Sequence, residues 1–134
     1  MADIPCICTS YRRVTRRITA FYDRKLAPSG LTVTMFSVLR NAAAQQQATI
    51  SALSRLLELE RSTLGRNLKV LERKGLIALP TGTDGRTRNV EVTTSGRAAL
   101  EQALHYWREA QKEMIGMLPR DVDSLRVELE QIRP

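Results

Sequence analysis

The stretch that most constrains the fold runs from Thr49 to Thr94. Leu53, Leu56 and Leu57 fall at i, i+3 and i+4, which is one face of a helix. Thr49 or Ser51 stands in place to cap it. The pattern breaks around Leu59-Glu60 and resumes at Leu64, Leu68 and Leu71, with Val70 nearby. Ser62 or Thr63 can cap this second helix by accepting from its free N–H groups. Gly75 ends it, because glycine takes a positive φ without steric cost. Two helices of about 8 and 13 residues joined by a tight turn form a helix-turn-helix. Leu76–Leu79 is then a short apolar run, and Asn89–Thr93 alternates as a half-buried strand does. Between them, residues 80–88 read PTGTDGRTR, which is not helical and makes the long tip of a β-hairpin.

The leucines take one side of the second helix. Arg61, Ser62, Thr63, Arg66, Asn67, Lys69 and Arg73 take the rest. Arginine can bond guanine O6 and N7, asparagine can bond adenine N6 and N7, and hydroxyls can meet base or phosphate. A solvated basic face is the alternative reading of the same residues. The hairpin favours nucleic acid: Arg86 and Arg88 sit where a tip enters a minor groove. Asp84 is either an Asx-type turn residue or the carboxylate that orients Arg86.

Helix-turn-helix, then LERKGLI, then a hairpin carrying Asp84-Gly85-Arg86 and ending in VTTSG, resembles the multiple-antibiotic-resistance regulator (MarR) family over nearly the whole chain. Gly30-Leu31-Thr32 resembles the start of that family's second helix, Arg61 to Arg66 its recognition helix, and Thr94-Ser95-Gly96 the start of its long fifth helix. Gly65 departs from the pattern, where a better helix former is usual. It costs roughly 1 kcal/mol against alanine and implies close approach to a phosphate or to the preceding helix. The resemblance implies a mainly α fold with a small β wing, without enzyme activity or cofactor. Residues 31–94 are expected to be the DNA-binding lobe, with residues 7–27 and 95–134 as dimerisation helices. Specificity is expected from Ser62, Thr63, Arg66, Asn67 and Arg86, with Arg55, Lys69 and Arg73 on phosphates.

At 134 residues the chain is long enough for a single domain with one modest core. No apolar run reaches 18 residues, so no transmembrane helix is expected. The N-terminus Met-Ala-Asp-Ile-Pro lacks the basic start and apolar core of a signal peptide. A cytoplasmic location follows as the expectation. A formal net charge of +7 favours phosphate-bearing partners. No lipidation motif or basic amphipathic anchor points to a membrane.

Ile7, Tyr11, Val14, Ile18, Phe21 and Tyr22 recur at helical spacing, on a helix of about 18 residues ending near Ala27-Pro28. Its other face holds Arg12, Arg13, Arg16 and Arg17, whose i, i+4 repulsion calls for anions or water. After a break at Ser29-Gly30, Thr32 or Thr34 caps a helix that turns Met35, Val38, Leu39 and Ala42 inward, and Ala43–Ala48 frays into a loop. From Ser95, the residues Leu100, Leu104, Trp107, Gln111, Met114 and Leu118 form a near-heptad stripe on a helix of about 22 residues, stopped by Pro119. Asp121 caps a last helix with Val122, Leu125, Leu129 and Ile132 on one face. Three striped helices beyond the helix-turn-helix exceed what one small domain covers. A homodimer is expected, presenting two recognition helices to a palindromic duplex about one turn apart.

No enzyme constellation is present. The single histidine, His105, reads as a packing or interface residue. No Cys/His cluster has zinc spacing. Cys6 and Cys8 are either ordinary thiols near the terminus, a thiol sensor, or, as four per dimer, a soft-metal site. The Arg12-Arg13 pair can favour a Cys8 thiolate. Cys8 precedes Tyr22 by fourteen residues. That spacing resembles the organic-hydroperoxide (OhrR) branch, in which a tyrosine hydrogen-bonds the reactive cysteine. Val33 stands where that branch brings a second tyrosine. Tyr11, Arg12, Tyr22 and Met35 are the effector pocket that the resemblance implies for small aromatic acids. Two rivals remain: a winged-helix module that binds protein without specific DNA binding, and a thiol enzyme using Cys8, for which the sequence offers no partner base.

Overall fold

A computed structural model describes residues 4–80 and 88–134. Among the described residues, six α-helices and three short strands follow one another: α1 (Ile7–Leu26), a 3-10 turn (Ala27–Ser29), α2 (Val33–Ala44), β1 (Ala48–Thr49), α3 (Ile50–Leu57), α4 (Arg61–Arg73), β2 (Ile77–Ala78), β3 (Asn89–Val92), α5 (Thr94–Met117) and α6 (Val122–Glu130). The expected mainly α fold with a small β wing is present.

Caps set most boundaries. Thr32, Thr49, Thr93 and Asp121 each accept from the N–H three residues on, at Met35, Ala52, Gly96 and Ser124. The N-terminus of α2 has a second acceptor, because the Asp23 carboxylate takes the Val33 N–H at 2.8 Å. α4 ends in a Schellman motif. Gly75, at φ 73, donates to the Glu72 carbonyl, and Leu76 donates to that of Leu71. Expectation and structure part at the start of α4. Its cap position is Glu60, with no side-chain cap bond, and Ser62 and Thr63 lie inside the helix.

The sheet has one strand more than the hairpin predicts. Strand order is β1-β3-β2, all antiparallel, with Ala48 opposite Val90 and Ile77 opposite Val92. Ala48, expected in a frayed loop, is buried. The core gathers Leu26, Leu31, Phe36, Val38, Leu39, Leu53, Leu64, Leu68, Leu71, Ile77 and Val90 where α2, α3, α4 and the sheet meet. Leu56 is not part of it. The helix-turn-helix turns that residue outward, at 55% exposure.

α1 packs on α5 and α2. The tightest seam on α5 runs through Ala103 and Ala110, both fully buried and seven residues apart, while the larger residues of its stripe are half-buried. Tyr22 closes the α1–α5 seam by donating its hydroxyl to Gln111 Oε1. Trp107 stacks on Phe36 with ring centroids 5.7 Å apart, and the Arg40 guanidinium lies 4.8 Å above the indole. Much of the stripe on α1 is uncovered: Ile7, Tyr11, Val14 and Ile18 are all exposed, as are Val127, Leu129 and Ile132 at the other end of the chain. No helix among the described residues is long and apolar enough to cross a membrane.

Candidate nucleic-acid interface

The turn between α3 and α4 is fixed by its own backbone. The Ser54 hydroxyl donates to the Leu59 carbonyl at 2.8 Å, and Leu59 N–H returns a bond to the Ser54 carbonyl at 3.2 Å. Glu58, between them, takes the left-handed conformation at φ 50, ψ 38. With the turn held, burial of Leu64, Leu68 and Leu71 fixes the rotation of α4 about its axis. Its outward face then carries Ser62, Arg66, Lys69 and Arg73, all exposed. Arg61, also exposed, donates to the Ser51 hydroxyl at 3.2 Å across the turn. None of the four cations of α4 forms an ion pair among the described residues. The first turn also lacks a side-chain cap and an acidic residue. A helix start with no side-chain cap, close to these arginines in sequence, favours phosphate through its positive end.

Other expected contacts sit differently. Asn67 is half-buried, and its Nδ2 donates to the Thr63 carbonyl at 2.9 Å. Thr63 is half-buried as well, with Arg66 3.4 Å from its hydroxyl. Arg55 on α3 is exposed and lines a polar hollow with Ser51, Ser54 and Arg61. Arg86 and Asp84 lie outside the described residues. Arg88 is described: it is half-buried, its guanidinium donates to the Leu79 carbonyl at 2.8 Å, and its Nε is buried without a partner among the described residues. It braces the base of the hairpin rather than extending from its tip.

The base of that hairpin is tied to α5. Thr93 donates its N–H to the Leu76 carbonyl at 3.1 Å and its hydroxyl to the Gly75 carbonyl at 2.7 Å, while accepting from Gly96. Gly96 is buried in this junction. A Cβ there would lie 2.0 Å from the Leu76 carbonyl oxygen.

The expected effector set does not assemble within the chain. Tyr22 and Met35 belong to the core, while Tyr11 and Arg12 are exposed on α1. Eleven residues of helix separate Tyr11 from Tyr22, about 16 Å of rise. The same geometry keeps Cys8 about 21 Å from Tyr22 along the axis, and the Tyr22 hydroxyl is engaged by Gln111. Cys6 and Cys8 are both free and exposed. Cys6 stands at the cap position of α1, where hydrogen bonds from the Thr9 side chain and then its backbone hold the thiol below its ordinary value. Local hydrogen bonding thus favours ionisation of Cys6. His105 is exposed beside Glu109, so within one chain it packs into no core. A groove of about 410 Å³ runs along α6, lined by Val122, Leu125, Leu129 and Ile132 with Glu58, Arg126 and Arg133.

A family model described as MarR family matches residues 29–87. Among solved structures, the M. tuberculosis transcriptional regulator MosR in complex with DNA is 38% identical with a TM-score of 0.85, over 96% of this chain and 93% of that one. Wild-type MarR from E. coli in its apo form is 26% identical with a TM-score of 0.70, over 98% and 100%. The fold is shared as well by Bordetella bronchiseptica BpsR, whose DNA binding is regulated by 6-hydroxynicotinic acid, at 21% identity and a TM-score of 0.82 over 95% and 92%. Comparison with curated proteins gives no match.

Proposed function

Because the chain belongs to the MarR family of regulators, we propose that it is a dimeric DNA-binding transcriptional repressor released from a palindromic operator by a chemical signal. The observation that carries the reading is the outward face of α4: four cations without ion pairs among the described residues, an uncapped first turn, and leucines that hold this face in one orientation. Ser62 and Arg66 are placed to read base edges in the major groove. Arg55, Arg61, Lys69 and Arg73 take phosphates, and Arg86 serves the wing.

Residues 31–94 make the DNA-binding lobe, and residues 7–27 and 95–134 join two chains. The uncovered stripe of α1 and the uncovered residues of α6 support that pairing. Burial of both stripes in a twofold interface stabilises each chain by roughly 25 cal/mol per Å² of apolar surface covered.

The signal we favour is thiol oxidation. The Cys6 thiolate attacks the O–O bond of an organic hydroperoxide, which leaves as alcohol and yields a sulfenic acid. A second thiol, Cys8 or its mate in the dimer, then displaces water from that sulfur to form a disulfide. Fluorescence anisotropy with the promoter region upstream of the chain's own coding sequence tests the whole reading. Wild type, Cys6→Ser and Cys8→Ser are each titrated before and after hydroperoxide. Tight, salt-sensitive binding that oxidant abolishes in wild type and spares in Cys6→Ser is the expected result. Binding indifferent to oxidant in all three removes the thiol switch and leaves a small ligand as the signal. No binding to DNA at any salt concentration removes the regulator reading in favour of a protein-interaction module.

A further inference from the structure

Arg61, Gly65 and Lys69 form a row along one edge of α4, each one turn from the next. The outer two are exposed cations and the middle one is a half-buried glycine. Glycine inside a helix sacrifices helix stability relative to alanine. Two intramolecular reasons usually explain one that is kept: a left-handed backbone, or a neighbour too close for a Cβ. Neither applies here. Gly65 lies in regular helix, and the glycines with positive φ among the described residues are Gly30 and Gly75. A Cβ built at Gly65 meets nothing within 4 Å among the described residues, whereas one at Gly96 strikes the Leu76 carbonyl. Close approach to the preceding helix, one of the two expectations for this residue, is thereby removed.

We infer that Gly65 is the seat of a DNA phosphate, which rests against bare helix backbone between the Arg61 and Lys69 side chains. This deepens the reading of α4 as the DNA-facing helix and rests on it. The contact is with phosphate rather than a base edge, because glycine offers neither donor nor methyl group for readout, while both flanking residues are cations. Its role is to set how deeply the helix sits. Ser62 and Arg66, on the adjoining outward face, then reach the bases from that depth. A side chain at position 65 would lift the helix and weaken every contact beyond it.

Gly65→Ala and Gly65→Leu test this, since both residues favour helix and differ in bulk. Each is compared with wild type by thermal unfolding and by anisotropy on the promoter duplex and a scrambled duplex of equal length. The expected result is a raised melting temperature for Gly65→Ala together with about tenfold weaker binding to both duplexes, and a further loss for Gly65→Leu. Gly65→Ala binding as tightly as wild type overturns the inference. A loss confined to the promoter duplex also overturns it, because phosphate contacts do not distinguish sequences. If wild type itself binds neither duplex, the reading of α4 fails, and the phosphate seat falls with it.

Discussion

Gly96→Ala sets two physical effects against each other. Helix propensity says that alanine near the start of α5 stabilises, by about 1 kcal/mol. The geometry of the junction says the reverse. The new methyl carbon would lie 2.0 Å from the Leu76 carbonyl oxygen and 2.9 Å from Val92 Cγ1. Even a close C···O contact needs about 3.3 Å. The start of α5 must therefore move more than 1 Å from the end of α4. That oxygen already accepts the Thr93 N–H, and Thr93 also donates to the Gly75 carbonyl. Opening the junction loosens both bonds, at about 1 kcal/mol each, on top of an overpacking cost of about 1–3 kcal/mol. Set against the propensity gain, the net loss is roughly 2–4 kcal/mol, a large part of a typical total stability. For a chain of this size that lowers the melting temperature by roughly 6–12 °C. Calorimetry or urea unfolding, at fixed protomer concentration because a dimer's stability depends on it, reads the effect. Gly65→Ala, with open space at its Cβ, is the control and should melt at or above wild type. A Gly96→Ala protein that melts no lower than wild type refutes the argument.

Two further perturbations test separate elements. Glu58 holds a left-handed backbone that costs an L residue about 1–2 kcal/mol, so Glu58→Gly should raise stability by roughly 0.5–1 kcal/mol after glycine's own entropy is counted. A lower urea midpoint would show that the Glu58 side chain contributes more than its conformation costs. Burial raises the Tyr22 hydroxyl above its ordinary 10.0, so the folded state binds this proton more tightly than the unfolded chain. Its stabilising contribution is complete below pH 10.0 and is lost as pH rises through the folded-state value. Tyr22→Phe should cost about 1 kcal/mol at neutral pH by leaving Gln111 unpaired, and should flatten the decline in stability above pH 10.0. Equal alkaline slopes in the two proteins would contradict that assignment.

Much of this architecture is legible in the residues because local chemistry dictates it. Thr32, Thr49, Asp121 and Gly75 mark helix ends by capping, which needs no tertiary information. The leucine triad of α4 likewise sets which residues face outward. Features that depend on distant partners were not legible. β1 is two residues long and exists because Asn89 and Val90 lie alongside it. Ala103 and Ala110 look neutral in a helical sequence, yet they are the two fully buried side chains of α5 among the described residues. The effector set Tyr11, Arg12, Tyr22 and Met35 came from family position, which says nothing about separation along a straight helix, and within one chain about 16 Å of rise parts Tyr11 from Tyr22. Ser62 and Thr63 look like caps until Glu60, with no cap bond of its own, is seen to start the helix. Leu56 fits the helical period but falls where the turn leaves nothing to cover it.

The Thr93 junction gives α5 mechanical consequences. With 24 residues the helix is about 36 Å long. Near one end it is pinned to the hairpin base, and further along it is held to α1 by Tyr22 and by the Lys25–Glu113 pair at 2.7 Å. A rod held at both places has little slack to absorb a disturbance, so it acts as a lever. A tilt of about 5° displaces its far end by about 3 Å, close to the distance between successive base pairs along a duplex. On the DNA-binding reading proposed above, a tilt of that size would move the hairpin base by about one base-pair step.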